Sequence, residues 1–441
     1  MKGLSLEAAA RRIVSIAEEL GAEETTARVS RGSWTELTRR DGKVEKAQES
    51  RSLSAGVSLM VEGRYSSHAT SDLRPDALRA FLERAVAATR YLEPDPNRRL
   101  PELEQMGNAD VDLDPMDEGQ ARRTPDDRRA AVETLEAMAV AHTASLKTRS
   151  LTAFGWDGAS ESALVTSHGF ASEWASTSFG LGASVSLEDE GGKLPEAWTS
   201  YQARHNSDIP DPDHIAADLA ERGRSRLGTG PIESGRYPLL LDRRVVSGLM
   251  RALMGPLSGT AIFERRSCLK DKLDERIASP AFTLIDDPLI PRGLGSRPHD
   301  GDGLPARRRT IIDDGVLKMF FLSVYNSRRI GAPVTTGGAS NLVIPSGTKS
   351  PEALAAPLGR VIRIDGFLGG NSNASTGDFS FGIQGALLED GKPVRALSEM
   401  NVSGDLFGLL ERFVEAANDP WSHGTWRTPT LLFDDIQFSG A

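Results

Sequence analysis

The sequence predicts an α+β protein: an N-terminal α/β region with helices and a strand meander, then a C-terminal domain on a curved antiparallel or barrel-like β-sheet. Three observations carry that prediction. Apolar residues recur at helical spacing in four long stretches of the first 230 residues. Between these stretches run alternating segments that end at turn dipeptides such as Asp41-Gly42 and Glu62-Gly63. After Arg236, many short strand-like runs are broken by Gly and Pro, the pattern of a strongly curved sheet.

The elements follow in order. Residues 6–20 place Ile13, Ile16, Ala17 and Leu20 on one face, with Ser5 positioned as cap and Gly21 at the end. Residues 25–67 read as strands that turn at Asp41-Gly42 and Glu62-Gly63. A second helix starts after Asp72 and runs to about Tyr91, burying Leu78, Phe81, Leu82, Ala85 and Val86. Residues 93–125 are rich in Pro, Asp, Glu and Arg and lack a period, which predicts a linker or long surface loop. Helical spacing returns at 126–142 through Val132, Leu135, Met138 and Ala139. Strands are predicted at 149–154, 162–167 and 173–187, a turn at Gly191-Gly192, and a helix at 213–227. Residues 236–241 read as a buried strand and Asp242 as a cap. A helix over 243–257 then carries Val246, Leu249, Met250, Leu253 and Met254 on its apolar face. Further strands are predicted at 282–285, 310–312, 317–322 and 342–344. The domains read from these shifts are an α+β unit (1–92), a linker or long loop (93–125), a middle α+β region (126–230) and a β-rich domain (231–441).

Composition narrows the function. Hydrophobic residues make up 39% and charged residues 26% of the 441, the balance of a globular soluble protein with a sizeable core. The net charge is −10 and the longest basic run is Arg307-Arg308-Arg309, which argues against a nucleic-acid partner. The single cysteine, Cys268, excludes an intramolecular disulfide and a cysteine-rich zinc site, and reads as a buried, inert thiol. Met1-Lys2 leads directly into a charged amphipathic pattern, and no 18-residue apolar run occurs. The expected location is the cytoplasm, with no membrane partner.

The densest run of turn chemistry lies at residues 363–392. Ile362 and Ile364 alternate with Arg363 and Asp365 before it, and Phe379, Phe381 and Ile383 alternate after it, so its flanks read as strands. Between them, Gly369, Gly370 and Gly377 permit backbone angles closed to other residues, beside Asn373, Thr376 and Asp378. The plain reading is a polar loop between two strands. The functional reading is a loop whose backbone closely approaches a ligand, a partner chain or an active site. The seven histidines include no pair spaced three to five apart. His299, Asp300 and Asp302 form the best local cluster, either a polar turn with a solvated histidine or a site for a divalent ion. No Gly-x-Ser-x-Gly elbow or phosphate loop occurs.

Four segments, in order, resemble the TldD/PmbA family, bacterial proteins also called modulators of DNA gyrase. They are Ser267-Cys-Leu-Lys-Asp-Lys-Leu-Asp-Glu-Arg-Ile277; Thr283-Leu-Ile-Asp-Asp-Pro288 running into Gly295-Ser-Arg-Pro-His-Asp-Gly-Asp-Gly-Leu-Pro305; Asp314-Gly-Val-Leu-Lys318 with Thr336-Gly-Gly338; and residues 373–391. The likeness covers residues 237–413, and more weakly the first 230, where Gly56-Val-Ser-Leu59 and Glu62-Gly63 match. One branch of the family resembles a zinc peptidase with His-Glu-x-x-x-His on a helix and a later cysteine; the other, TldE or PmbA, lacks those ligands and pairs with the first. The metal helix falls here on Met250-Arg251-Ala252-Leu253-Met254-Gly255, with Met250 and Gly255 at the histidine positions and Arg251 at the glutamate position. Neither Gly nor Arg supplies a zinc ligand or base, and no cysteine follows Cys268.

The resemblance therefore implies a non-catalytic TldE/PmbA-like subunit, with no catalytic or metal residues and no cofactor in this chain. Zinc is expected in a TldD-like partner, with unfolded peptides as substrates and a homo- or hetero-oligomeric assembly. The loops around Gly369–Asp378 and Pro298–Pro305 are then expected at an interface or the wall of a peptide chamber. Two alternatives stay open: a homo-oligomeric peptide-binding protein, or an independent hydrolase that uses His299 and Asp300.

Overall fold

Residues 5–440 are described by the computed structural model. Helix α1 (Leu6–Glu19) begins at Ser5, whose hydroxyl accepts from the Ala8 amide, and buries Ala10, Ile13 and Ala17. Met1 and Lys2, read as leading straight into this helix, lie outside the described residues. Strands β1 (Glu24–Arg40) and β2 (Lys43–Val61) turn at Asp41-Gly42, with φ of 48° and 79°, and β3 (Arg64–Thr70) follows Glu62-Gly63, at 52° and 72°. Paired positive φ values are what these two dipeptides are suited to. Helices α2 (Pro75–Thr89) and α3 (Pro125–His142), strands β4 (Thr148–Thr166), β5 (Ala171–Leu187) and β6 (Glu196–Ala203), and helix α4 (Pro212–Arg224) follow. The six strands form one sheet in the order β3-β2-β1-β4-β5-β6.

Two separate helix pairs cover that sheet. α1 and α2 pack on Val29, Val57, Leu59, Ala163 and Val165, while α3 and α4 pack on Leu151, Ala153, Val185 and Ala197. β4 feeds both clusters, through its two ends. The sequence predicts two strands here because the middle of β4, around Gly155 and Gly158, lacks apolar alternation; the structure has one strand of 19 residues. Met138 is 38% exposed, outside the stripe made by Val132, Leu135 and Ala139.

The second half starts with β7 (Gly235–Leu241). Next come α5 (Val246–Met250), α6 (Gly259–Phe263), β8 (Leu284–Asp286), β9 (Arg309–Asp313), β10 (Val316–Leu317), α7 (Val324–Ile330), β11 (Leu342–Val343) and α8 (Pro351–Ala355). The chain ends with β12 (Arg360–Ser372), β13 (Asp378–Glu389), β14 (Lys392–Asp405), α9 (Leu406–Glu411), β15 (Phe413–Ala416), β16 (Trp426–Arg427) and β17 (Leu431–Ser439). Pairing of Asn401 with Ser439 and Val402 with Phe438 closes β14-β13-β12-β7-β17 into a five-stranded barrel. Leu239, Ile362, Ile364, Ile383, Val402 and Phe433 are fully buried in its core. A second sheet has the order β10-β9-β8-β11-β16.

Three expectations are corrected here, and one long loop is placed. The helix predicted over 243–257 is only the five residues of α5 and a 3₁₀ turn, Arg251–Leu253. Its apolar residues are buried on too many sides for an amphipathic surface helix, and Gly255-Pro256 ends it. The strand predicted at 317–322 shrinks to Val316–Leu317, and Met319 to Leu322 are buried as irregular chain. Residues 93–124 carry no helix or strand beyond two 3₁₀ turns, yet they do not float. Gly107 N donates to Gly303 O (3.0 Å), Ala109 N to Pro298 O (2.8 Å) and Arg292 N to Leu113 O (2.8 Å), strapping this stretch across the second half. Finally, Gly369 and Gly370 lie within β12 rather than in a loop; the turn itself is residues 373–377.

Candidate functional site

The tip of the β12–β13 hairpin is held by its own polar groups. Asn373 N donates to Asp378 O (2.8 Å), Gly377 N to Asn373 O (2.8 Å), Ser375 N to Asn373 Oδ1 (2.9 Å) and Thr376 Oγ1 to Asp378 Oδ2 (2.6 Å). The pairing register slips between Phe367 and Gly370, a bulge made possible by Gly370 at φ 139°. A Cβ there would sit 2.3 Å from Ser380 O.

The tip docks on the segment that follows α6 and on the start of α9. Cys268 N donates to Ala374 O (3.1 Å), Ser375 Oγ to Arg266 O (3.0 Å) and Leu406 N to Gly377 O (3.0 Å). A Cβ on Gly255 would lie 3.1 Å from that of Ala374, so a side chain at this position would push the tip away. Gly255, Cys268 and the tip therefore meet. Met250 is fully buried in the core and Arg251 is exposed, so these two positions do not face one point. Burial, reinforced by the Asp378 and Asp405 carboxylates, raises the Cys268 pKa and keeps the thiol protonated.

His299, Asp300 and Asp302 lie elsewhere. His299 is buried rather than solvated, because its ring packs edge-on against Phe170 with centroids 5.6 Å apart. Its Nδ1 bonds Asp300 O (2.7 Å), while Asp300 Oδ1 accepts from the amides of Asp302 (3.0 Å) and Leu304 (3.1 Å). Asp302 Oδ2 accepts from Val324 N (2.8 Å) at the start of α7. Burial lowers the pKa of His299 and raises that of Asp302. This is a structural turn beneath the 93–124 strap, in which Asp300 Oδ2 is buried without a hydrogen-bond partner. A cavity of 220 Å³ beside Asp302 is lined by Glu24, Arg98, Leu100 and Tyr325, with no residue of the hairpin tip.

Sequence reasoning missed the most charged region, the seam where α4 and β6 meet the barrel. Asp218 on α4 accepts from Arg244 Nη1 (2.6 Å) and from the Thr199 hydroxyl, and Arg244 Nη2 donates to Tyr201 Oη (2.7 Å). Burial alone would raise the Asp218 pKa, but Arg244 outweighs it and holds the carboxyl below its usual range. Asp365 on β12 lies 2.6 Å from Arg226 Nη1, an ionic contact not aligned as a hydrogen bond, and 3.6 Å from Arg363. Cavities of 830 and 240 Å³ open on either side, and Arg222, Arg244 and Asp365 line both. The only sequence signals were Arg222 and Arg226 four apart and the pair Arg243-Arg244 after a strand.

Family models of the PmbA/TldA metallopeptidases match three parts of the chain: domain 1 over 26–89, the central domain over 122–227 and the C-terminal domain over 234–440. Metalloprotease PmbA of Escherichia coli O157:H7 is 27% identical, over 100% of this chain and 99% of that one. The crystal structure of a candidate modulator of DNA gyrase from Bacteroides thetaiotaomicron superposes with a TM-score of 0.93 at 32% identity, over 98% of both chains. The chain belongs to the PmbA/TldD family. TldE from Thermococcus kodakarensis has the same fold, with a TM-score of 0.86 at 20% identity over 98% of this chain and all of that one. The family models are named for metallopeptidases, and the residues that the resemblance sets at a metal helix, Met250, Arg251 and Gly255, do not fit zinc. A buried thioether, an exposed guanidinium and a glycine supply no tetrahedral set of His, Cys or carboxylate donors. Among the described residues, no three His, Cys, Asp or Glu side chains gather to hold a metal ion. No described helix is long and apolar enough to cross a membrane.

Proposed function

We propose that this chain is the non-catalytic, TldE/PmbA-like subunit of a heteromeric zinc metallopeptidase acting on unfolded peptides in the cytoplasm. A TldD-like partner carries the zinc and the catalytic helix. One observation supports the reading above others: the family's C-terminal domain is retained over 234–440, while the residues that the resemblance sets at the ligand and base positions are Met250, Arg251 and Gly255. The hairpin tip, pinned to Gly255 and Cys268, forms the wall that faces the partner or the peptide. Strand addition suits peptide capture, since backbone bonds give affinity with little sequence choice. β3 covers β2 only from Ala55 to Val61, which leaves residues 43–54 as a sheet edge.

The test is reconstitution. The chain alone is expected to leave an unfolded peptide such as casein intact, and the chain mixed with a TldD-like subunit to cleave it. Replacing residues 373–377 with Asn-Gly is expected to abolish the activity of the mixture while the variant still folds. Cleavage by this chain alone, or full activity of the mixture with the shortened tip, contradicts the reading.

A further inference from the structure

Four buried or half-buried guanidinium groups meet in the seam, and two of them reach a carboxylate at 2.6 Å. Arg244 takes Asp218, while Arg226 and Arg363 share Asp365. Arg222 has the longest of these contacts. Its Nε lies 3.7 Å from Asp218 Oδ1, is buried and meets no hydrogen-bond acceptor among the described residues. Asp242, close by, spends Oδ1 on the Arg244 amide (2.9 Å), and Glu221, Glu352 and Asp419 also line the larger cavity. A guanidinium does not escape by losing its proton, so a buried one without an acceptor is a receptor for an anion. The Arg222 side chain is only 17% exposed, and it lines both the 830 and the 240 Å³ cavities.

The smaller cavity indicates what accompanies the anion. Its walls carry Trp198, Phe367 and Trp421, and Trp198 is 64% exposed despite its size. Phe367 is also the side chain that covers Gly248 of α5, since a Cβ on Gly248 would lie 2.9 Å from its ring. The cavity thus abuts the segment at the metal-helix positions. Asp365 and Phe367 sit on β12, and the hairpin tip starts six residues beyond Phe367. At about 3.3 Å per residue that is roughly 20 Å, the length of a short extended peptide.

We propose that Arg222, flanked by Arg244 and Arg226, receives the free C-terminal carboxylate of the bound peptide, whose last side chain rests on Trp198, Phe367 and Trp421. The inference rests on the peptide reading above and names the end of the substrate that this subunit holds. A bidentate guanidinium–carboxylate pair gives both the strength and the orientation.

The experiment measures binding of three fluorescein-labelled hexapeptides to the full chain by anisotropy: one ending in free Phe, its C-terminal amide, and an amide with Glu at the fourth position. The free acid is expected to bind at least tenfold tighter than the plain amide. The R222Q variant is expected to lose that difference and to melt close to the parent, because the ion pair it removes, to Asp218 at 3.7 Å, is long. Equal binding of acid and amide, or discrimination retained in R222Q, overturns the proposal. Tight binding of the Glu amide overturns the assignment to the chain end and assigns the site to acidic side chains. N-acetylphenylalanine against its amide, read as a Tm shift, separates this proposal from the peptide reading. A shift with the acid alone, lost in R222Q, supports the receptor even where no hexapeptide binds, and in that case the peptide reading fails by itself. No shift and no peptide binding overturn both.

Discussion

The hairpin tip and the arginine seam are opposite solutions to placing polar groups on one barrel. At the tip, exposed polar atoms satisfy one another over a few residues, and the backbone carries most of the bonds. At the seam, Asp218, Arg222, Arg226, Arg244, Arg363 and Asp365 are brought together from distant parts of the chain and largely buried, and Arg222 is held only by a 3.7 Å contact while its Nε lacks a hydrogen bond. A self-satisfied turn is cheap to keep and serves as shape. A buried surplus of charge is costly unless something outside the chain completes it. The comparison teaches that strong local turn chemistry marks a fixed wall, while binding capacity sits where satisfaction is incomplete.

The sharpest way to break the comparison is at Asp365. D365N leaves Arg226 and Arg363 without their carboxylate, and is expected to cost about 3–5 kcal/mol in chemical denaturation. A loss below 1 kcal/mol would mean that the seam charges are solvated after all. Next comes the bulge. G370A places a Cβ against Ser380 O at a φ of 139° and is expected to cost about 1–3 kcal/mol. G369A, at φ 108° with open space around it, is expected to cost only about 1 kcal/mol by the same measurement.

Acid sharpens the contrast further. Burial lowers the pKa of His299 and of His423, which lines the smaller seam cavity, below the ordinary 6.5. The unfolded chain therefore takes up these protons first as the pH falls. The stability the two histidines contribute is complete above pH 6.5 and is lost as the pH drops through their lower folded values. Between pH 7 and 5.5, the parent is expected to lose more stability than H299Q/H423Q, by up to about 1.4 kcal/mol per pH unit for each histidine. Equal slopes would show that both rings already meet solvent. The smallest effect on stability belongs to the tip itself: N373A removes one acceptor, for the Ser375 amide, at an exposed turn and is expected to cost about 1 kcal/mol.

What was legible in the sequence follows the same division. The Asp41-Gly42 and Glu62-Gly63 turns, the cap at Ser5 and the stripe of α1 are local, and residues a few positions apart decide them. β4 was misread as two strands because its halves serve different helix pairs, information that resides in α1 to α4. α5 was misread as a long helix because apolar spacing does not reveal burial on several sides. The turn formers around His299 suggest a solvated ring or an ion site, whereas the strap at residues 107–109 and Phe170 enclose it. The seam was illegible for a simple reason: its members are up to about 220 residues apart, and an arginine's partner is not written beside it.

The most direct test of the central claim is the zinc content of the chain, by elemental analysis after purification without an affinity tag and dialysis. The account expects well below one equivalent per chain, with zinc appearing only when a TldD-like subunit copurifies. One tightly held equivalent in the isolated chain would contradict it, and would mean that Met250, Arg251 and Gly255 are not the positions that decide whether this family member holds metal.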